Sequence, residues 1–510
     1  MAFQSLREWV AKLEEHGQVK RITAKVDWDL ELSGVARRVA DAGGPALLFE
    51  NIKDYRDTWC RKLFVGGPGS RERVALALGL PPETGYRELV EYIKKRLETR
   101  EETVKVATGP VKEHIIKGEA VDLREIPVPR YNELDGGRYI NTFCSVITRD
   151  PETGLMNVGL YRGMLGDDQR SIAVFIARNQ HWGVHFSKCE RRGEEMPVAV
   201  VYGWDPTLLM YSGTAPIHTD CSEYELVGGL RGAPVELVKC ETSDLYVPAT
   251  AEIVVEGRIS PDPATFQMEG PFGEFPGFYA GIRQPKPVIR VECITHRSDP
   301  IFRGGLTGYS PGHTAEAMYW GATVRAAIIW RSLEQAGLHH VTGVWGSQLT
   351  NMTNLRVQID KHYRGQAKQV AAIVFGIPSA THWGKNLIVV DNDIDVFDDA
   401  AVEWAVAYRT NAEMGDFQFF AGTPGNPLDP STPLPQRDAR KYGGVGKWTR
   451  VLIDATVNWE LEPEEQYGGK REPPLCTEVP PATAAMVDAR WEEYGFARRP
   501  AGAKMGKIGE

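Results

Sequence analysis

Hydrophobic positions recur along the chain at two different spacings. Near the N-terminus Leu6, Trp9, Val10 and Leu13 fall three and four apart, one stripe of an amphipathic helix. Ser5 and Glu8 stand at capping-box spacing ahead of it, and Gly17 supplies the stop. A second helix is expected over about Leu32 to Ala42, before Gly43-Gly44-Pro45. A third carries Tyr86, Leu89, Val90, Ile93 and Leu97 on one face. Between them the short apolar runs Ala46 to Phe49 and Lys62 to Val65 read as buried strands, so the opening segment alternates helix and strand in an α/β pattern. The charged run Lys94 to Glu102 is a solvated helix face and end.

The spacing changes after the stiff connector Ile126-Pro-Val-Pro-Arg130 and the glycines of Asp135-Gly-Gly137. From Tyr139 to about Ile294 the pattern is mostly β. Ile140 to Thr148 and Met156 to Arg162 flank the turn Asp150-Pro-Glu-Thr-Gly154, a hairpin. Val198 to Tyr202, Val235 to Cys240, Glu252 to Glu256 and Val288 to Ile294 are further strands, with one helix interrupting after Asn179. Thr314 to Glu334 is apolar almost all round and so reads as a long buried helix. Beyond it α/β alternation returns, with a strand over Asn386 to Val390 and a helix over Asp398 to Arg409. Thr423 to Gln436, rich in Pro, Gly and Thr, reads as a long surface loop, and a short helix closes the chain near Met486 to Tyr494.

Composition narrows the function classes. At 510 residues, 42% hydrophobic and 25% charged, the chain has the make-up of a soluble protein of about three domains. A net charge of -9 argues against a general grip on nucleic acid. No apolar run is long enough to span a bilayer, and MAFQSLREWV lacks the basic start and apolar core of a signal peptide. Seven scattered cysteines with no CxxC fit reduced thiols, so the expected location is the cytoplasm.

Several stretches carry candidate chemistry. Glu269-Gly-Pro-Phe-Gly-Glu274-Phe-Pro-Gly277 sets two carboxylates five residues apart in a segment whose proline and glycines rule out a helix. It is expected to be a rigid, irregular loop, and two neighbouring carboxylates can leave one protonated near neutral pH as an acid. Asn157-Val-Gly-Leu-Tyr-Arg162 offers an amide oxygen for a hard cation and a guanidinium for a carboxylate. Strand alternation puts residues 157 and 162 on opposite faces, so a bulge or twist would be needed to unite them. His181 and His185 have zinc-ligand spacing, but Trp182 stands where HExxH has its glutamate, which favours a packed pair. Asp391, Asp393 and Asp395 read as polar residues leaving a sheet and capping a helix rather than as a cation site. Neither a Walker lysine loop nor GxGxxG is present.

Taken in order, the chain resembles the UbiD family of reversible decarboxylases. The matching words are Asn157-Val-Gly-Leu-Tyr-Arg162, Gln180-His181, Glu223-Tyr with Gly228-Gly-Leu-Arg-Gly232, Glu236-Leu-Val-Lys-Cys-Glu-Thr242, Val247-Pro-Ala-Thr-Ala-Glu252, Glu269 to Gly277, and Lys385 with Val390-Asp-Asn-Asp-Ile-Asp395. The resemblance implies a mixed α/β and α+β multidomain protein: an α/β N-terminal domain over residues 1–125, a split-barrel-like flavin-binding domain over 126–310, and a C-terminal α/β domain with an oligomerisation tail over 311–510. It implies prenylated FMN as cofactor, with a divalent metal, usually manganese, and a potassium ion at the phosphate. Asn157, His181 and Glu223 match the metal ligands, and Lys385 matches the lysine near the cofactor phosphate. Leu160, Tyr161 and Gln180 fall in the cofactor-binding words. Arg162, Glu269 and Glu274 match the family's Arg-Glu-Glu network, with Arg162 and Glu269 positioning a carboxylate and Glu274 donating a proton. A homodimer or homohexamer, and a flavin prenyltransferase as cofactor supplier, follow from the same resemblance.

The activity so implied is non-oxidative, reversible decarboxylation of an aromatic or heteroaromatic acid. Rival readings are an acrylic-acid decarboxylase of the same family, an FMN-dependent oxidoreductase and a non-catalytic flavin carrier. Cycloaddition and single-bond attack both remain open as the covalent step. Gly304-Gly-Leu-Thr-Gly-Tyr-Ser-Pro-Gly-His313 is expected to line the pocket, with His313 either touching a ring hydroxyl or nitrogen of the substrate or capping the following helix.

Overall fold

The computed structural model describes residues 3–214, 220–437, 441, 445–475 and 479–497; Cys476 lies outside them. It divides into two compact units, residues 1–456 and 457–510. The larger unit is a mixed α/β and α+β structure of several sheets.

The N-terminal segment folds as its periodicity predicts. The helix Leu6–Glu15 buries Leu6, Trp9, Val10 and Leu13, and the Ser5 hydroxyl accepts from the Glu8 amide while the Glu8 carboxylate accepts from the Gln4 amide. Helices Glu31–Asp41 and Tyr86–Arg96 and strands Ala46–Phe49 and Lys62–Val65 follow. These strands join Val19–Ile22 in a four-stranded sheet, and the fourth member, Ile301–Arg303, comes from far along the chain to pair parallel with Lys62–Val65.

The middle segment builds a curled nine-stranded sheet. Its path runs through Tyr139–Asn141, Gly163–Leu165, Ser171–Val174, Val288–His296, Ile253–Ile259, Met196–Tyr202, Ser145–Arg149 and Met156–Gly159, with His114–Lys117 paired onto Val288–His296. The expected hairpin is present, with Thr148 opposite Asn157. Its arms are shorter than the sequence suggested. The first breaks between Asn141 and Ser145, and the second ends at Gly159, so Leu160–Arg162 leaves the sheet. Among the described residues three α-helices interrupt rather than one: His181–Arg192, Pro206–Ser212 and Glu223–Arg231.

The long helix is Glu316–Gln335, buried on most sides. Glu316 fastens its start to the N-terminal sheet, accepting from the Gly66 amide at 2.9 Å and pairing with Arg303. A five-stranded sheet follows, in the order Val341–Gly346, Asn354–Ile359, Asn386–Asp391, Gly446–Ala455, Phe417–Gly425. The run expected as a loop from Thr423 therefore begins inside an edge strand; Pro424 is tolerated there because an edge has no outer neighbour to bond. Asp395 pairs with Arg87 and Asp393 with Arg409, while Asp398 caps Asp399–Arg409, as expected of residues leaving a sheet. The second unit contains the helix Pro481–Ala489, earlier than the expected 486–494. No helix among the described residues is long and apolar enough to cross a membrane.

Candidate active site

The segment 269–277 is not wholly irregular. Strand Gln267–Glu269 pairs with Gln284–Lys286, and Phe272–Gly273 pairs with Tyr279–Ala280, so Glu269 and Glu274 project from two short ribbons joined at Gly270 and Pro271. The ribbon rests on the stretch Asn132–Tyr139. The Gly273 amide donates to Asp135 Oδ1 at 2.8 Å and the Gly136 amide to the Pro271 carbonyl at 2.8 Å. A Cβ on Gly136 would stand 2.1 Å from the Gly270 carbonyl oxygen, so only glycine permits this approach. Burial raises the Asp135 pKa despite the amides it accepts from.

Arg162 reaches both glutamates from the far side. Its Nη1 donates to Glu274 Oε1 at 2.8 Å and its Nη2 to Glu269 Oε2 at 3.1 Å. Nε lies 3.0 Å from Glu269 Oε1 without forming a hydrogen bond. The guanidinium sits over the rings of Phe175 and Phe272 at 5.0 and 5.5 Å. Burial works against its charge, but Glu274 and Glu269 outweigh that cost and raise its pKa. Glu269 is 1% exposed and Glu274 15%, so the two carboxylates sharing one cation differ in access. Tyr139, not singled out in the sequence, completes the cluster: its hydroxyl donates to Glu269 Oε1 at 2.8 Å. Burial, followed by the Glu269 charge, raises the phenol's pKa.

A second cluster lies along the same stretch. Asn157 Oδ1 is 2.9 Å from His181 Nδ1, which is 3.7 Å from Glu223 Oε1. Three elements meet here: the hairpin strand supplies Asn157, and His181 and Glu223 are the first residues of their helices. Glu223 is aimed by the Val158 amide, which donates to its Oε2 at 2.8 Å, and Asn157 by its Nδ2 bond to the Tyr161 hydroxyl at 3.3 Å. Tyr161 stacks flat on Trp182 at 4.2 Å. Amide oxygen, imidazole nitrogen and carboxylate oxygen form a donor set suited to a divalent cation such as manganese. His185 is not part of it. It is buried, hydrogen-bonded with Thr148 at 2.9 Å, and burial lowers its pKa to about 4.

The strand's end at Gly159 explains how one hexapeptide serves both clusters: Asn157 stays in the sheet, and Arg162 follows the turn to the glutamates. Leu160 in that turn donates its amide to the Ser212 carbonyl at 3.0 Å, and Gln180 is the N-cap of the His181 helix. Lys385 is engaged elsewhere, donating to Asp429 Oδ2 at 2.8 Å and to the Ser431 hydroxyl, with no bond to Asn157, His181 or Glu223. The loop 304–313 packs on the glutamate ribbon, where the Thr307 hydroxyl donates to the Gly273 carbonyl. His313 itself is 44% exposed and lies 3.7 Å from Asp41 of the second helix.

Comparison with known proteins shows the family. Residues 10–93, 102–310 and 317–455 match in turn the N-terminal, Rift-related and C-terminal domain models of 3-octaprenyl-4-hydroxybenzoate carboxy-lyase. The chain belongs to the UbiD family. A phenolic acid decarboxylase from Sedimentibacter hydroxybenzoicus is 32% identical over 93% of this chain and 96% of its own. The closed form of the vanillic acid decarboxylase of that organism superposes with a TM-score of 0.84 at 30% identity, covering 97% of this chain and 100% of the other. The UbiD-class enzyme HmfF from Pelotomaculum thermopropionicum, solved in complex with FMN, gives a TM-score of 0.78 at 32% identity over 94% and 98% of the two chains. An evolved dimeric form of HmfF in complex with prFMN gives 0.75 at 30% identity over 94% and 100%.

Proposed function

We propose that this protein catalyses the reversible, non-oxidative decarboxylation of an aromatic or heteroaromatic carboxylic acid with prenylated FMN. The observation that carries the reading is the single guanidinium of Arg162 bridging a closed-off carboxylate, Glu269, and a more accessible one, Glu274. Flavin complexes of HmfF and the acids named for the Sedimentibacter enzymes support it.

Asn157, His181 and Glu223 would hold the cofactor through a divalent cation, manganese by their chemistry, with Leu160, Tyr161 and Gln180 beside it, and Lys385 and a potassium ion at its phosphate. Bound there, prenylated FMN supplies the electron sink that an aryl carbon lacks when it loses CO2. The residues of the chain do the rest. Arg162 orients the substrate carboxylate, and Glu269, fixed by Tyr139, holds the guanidinium in place. As the carbon–carboxylate bond breaks, CO2 leaves and the Glu274 carboxyl delivers a proton to the same carbon. In carboxylation the same groups act in reverse.

The test is Glu274→Gln in protein co-expressed with a flavin prenyltransferase and assayed against a panel of aryl acids. Turnover should fall by about 10² to 10⁴ with flavin content unchanged, since an amide keeps the shape but donates no acidic proton. A wild-type rate would refute the assignment.

A further inference from the structure

One arginine near the site faces no acid among the described residues. Arg325 lies inside the helix Glu316–Gln335, and burial lowers its pKa from the usual arginine range to about 9. It keeps some accessible surface. Its hydrogen bonds run only to neutral oxygens and are long: Nη1 to Asn351 Oδ1 at 3.3 Å and Nη2 to the Gly213 carbonyl at 3.4 Å. Its guanidinium lies 4.0 Å from the centre of the Trp383 ring. No carboxylate among the described residues pairs with it. Arg450, another buried arginine with no ion pair among the described residues, has its Nη2 taken by three carbonyls, of Ala380, Thr381 and Pro424, at 2.8 to 3.2 Å.

The helix is built to hold Arg325 in this pose. Gly321, one turn earlier, is a poor residue for a helix interior. A Cβ there would stand 2.6 Å from Arg325 Nη1, so the glycine makes room for the guanidinium. The surroundings lead to the site on two sides. Gly213 packs on Leu160, two residues before Arg162, and Trp383 meets Phe275, the residue after Glu274, at 5.7 Å. A largely desolvated guanidinium with weak neutral partners favours an oxyanion, which it can grip with two parallel bonds.

We propose that Arg325 is an anion-binding residue, taking a phosphate or carboxylate oxyanion between Gly213 and Trp383. The inference rests on the site reading given above and extends it. The anion comes either from the flavin phosphate or from a second acid group on the substrate, which would make this a dicarboxylate enzyme.

The full-length protein freed of flavin is titrated with FMN and with riboflavin, which lacks the phosphate. The same protein loaded with prenylated FMN is titrated with benzoate and with benzene-1,4-dicarboxylate. Both titrations, read by flavin fluorescence, compare wild type, Arg325→Gln and Gly321→Ala. If the phosphate is the anion, FMN Kd rises at least tenfold in both variants and riboflavin Kd does not move. If the substrate supplies it, FMN Kd is unchanged and only dicarboxylate Kd rises by that factor. Unchanged affinities throughout, or equal weakening of FMN and riboflavin, overturn the proposal. Gly321→Ala keeps the test alive should Arg325→Gln fail to fold, because alanine favours the helix while displacing the guanidinium. The FMN arm needs no turnover, so protein inactive on every aryl acid would defeat the decarboxylase reading and leave this one standing.

Discussion

The hydroxyl of Tyr139 donates to Glu269 Oε1 at 2.8 Å, so this buried carboxylate is shared between a neutral donor and the guanidinium of Arg162. Removing the phenol leaves Glu269 with the cation alone in a place water cannot replace the bond. Tyr139→Phe should cost about 1.5–3 kcal/mol of stability, the usual worth of a hydrogen bond to a charged group. It should also lower kcat/KM about tenfold or more, because Arg162 is then held less firmly. Chemical denaturation and steady-state kinetics check the two parts separately; a stability loss with full activity would confine Tyr139 to packing.

The histidine that does not join the second cluster makes a pH prediction. Burial lowers His185 from 6.5 to about 4, so the folded protein keeps it neutral where the unfolded chain takes up a proton. Between those values the unfolded state binds more protons, and stability falls as pH drops from 6.5 towards 4. The size is on the order of 3 kcal/mol at the acid end. His185→Gln should keep the Thr148 contact and flatten this part of the stability curve. Denaturation of both proteins at pH 7 and pH 4.5 reads the difference; identical slopes would show that His185 protonates freely in the fold.

How far the sequence reaches can be judged from particular residues. The N-terminal stripe and cap were legible because one helix face and one capping pair are local signals. Helices Pro206–Ser212 and Glu223–Arg231 were not. The first is short and apolar with Pro206 at its start, capped by Asp205; the second contains Gly228 and Gly229, which read as breakers. A Cβ on Gly229 would stand 1.9 Å from the Thr99 carbonyl, so tertiary contact overrides helix propensity there. Asn157, His181 and Glu223 come from three elements, and no spacing rule joins them; only resemblance did. Strand alternation set Asn157 and Arg162 apart, and the structure agrees in its own way, giving them to different clusters after the strand ends at Gly159. Tyr139 and Arg325 left no signal, because what distinguishes them is a partner more than a hundred residues away in one case and a missing acid in the other.

The three-element cluster yields a binding prediction. His181→Ala removes the imidazole that lies between Asn157 and Glu223, 2.9 Å from one and 3.7 Å from the other. The purified variant should hold at least tenfold less manganese and correspondingly less flavin, measured by metal analysis and absorbance. Glu225→Gln is the control: Glu225 lies two residues away on the same helix, and its backbone carbonyl, not its side chain, bonds to the Glu101 amide. Equal loss in both variants would place the metal elsewhere.

The last prediction concerns the seam between the glutamate ribbon and the loop 304–313. Gly277 has φ +84, in the left-handed region, and a Cβ there would stand 2.2 Å from the Tyr309 carbonyl oxygen. Its amide also donates to the Glu274 carbonyl at 3.0 Å, so it closes the turn that carries Glu274. Alanine at this position meets two penalties at once: about 1–2 kcal/mol for the left-handed backbone, and a clash with main chain that cannot swing aside. Relief requires the ribbon to lift from Tyr309, and Glu274 moves with it. Phe272 at the base of the ribbon belongs to the second hydrophobic core, but residues 274–287 belong to neither, so Gly277→Ala should still fold. A displacement of about 1 Å at the proton donor is enough to lower kcat about a hundredfold. Cofactor content should stay level, since Asn157, His181 and Glu223 lie on other elements. A variant with wild-type kcat would show that the ribbon closes without this contact, and one that lost its flavin would tie the ribbon to the cofactor instead.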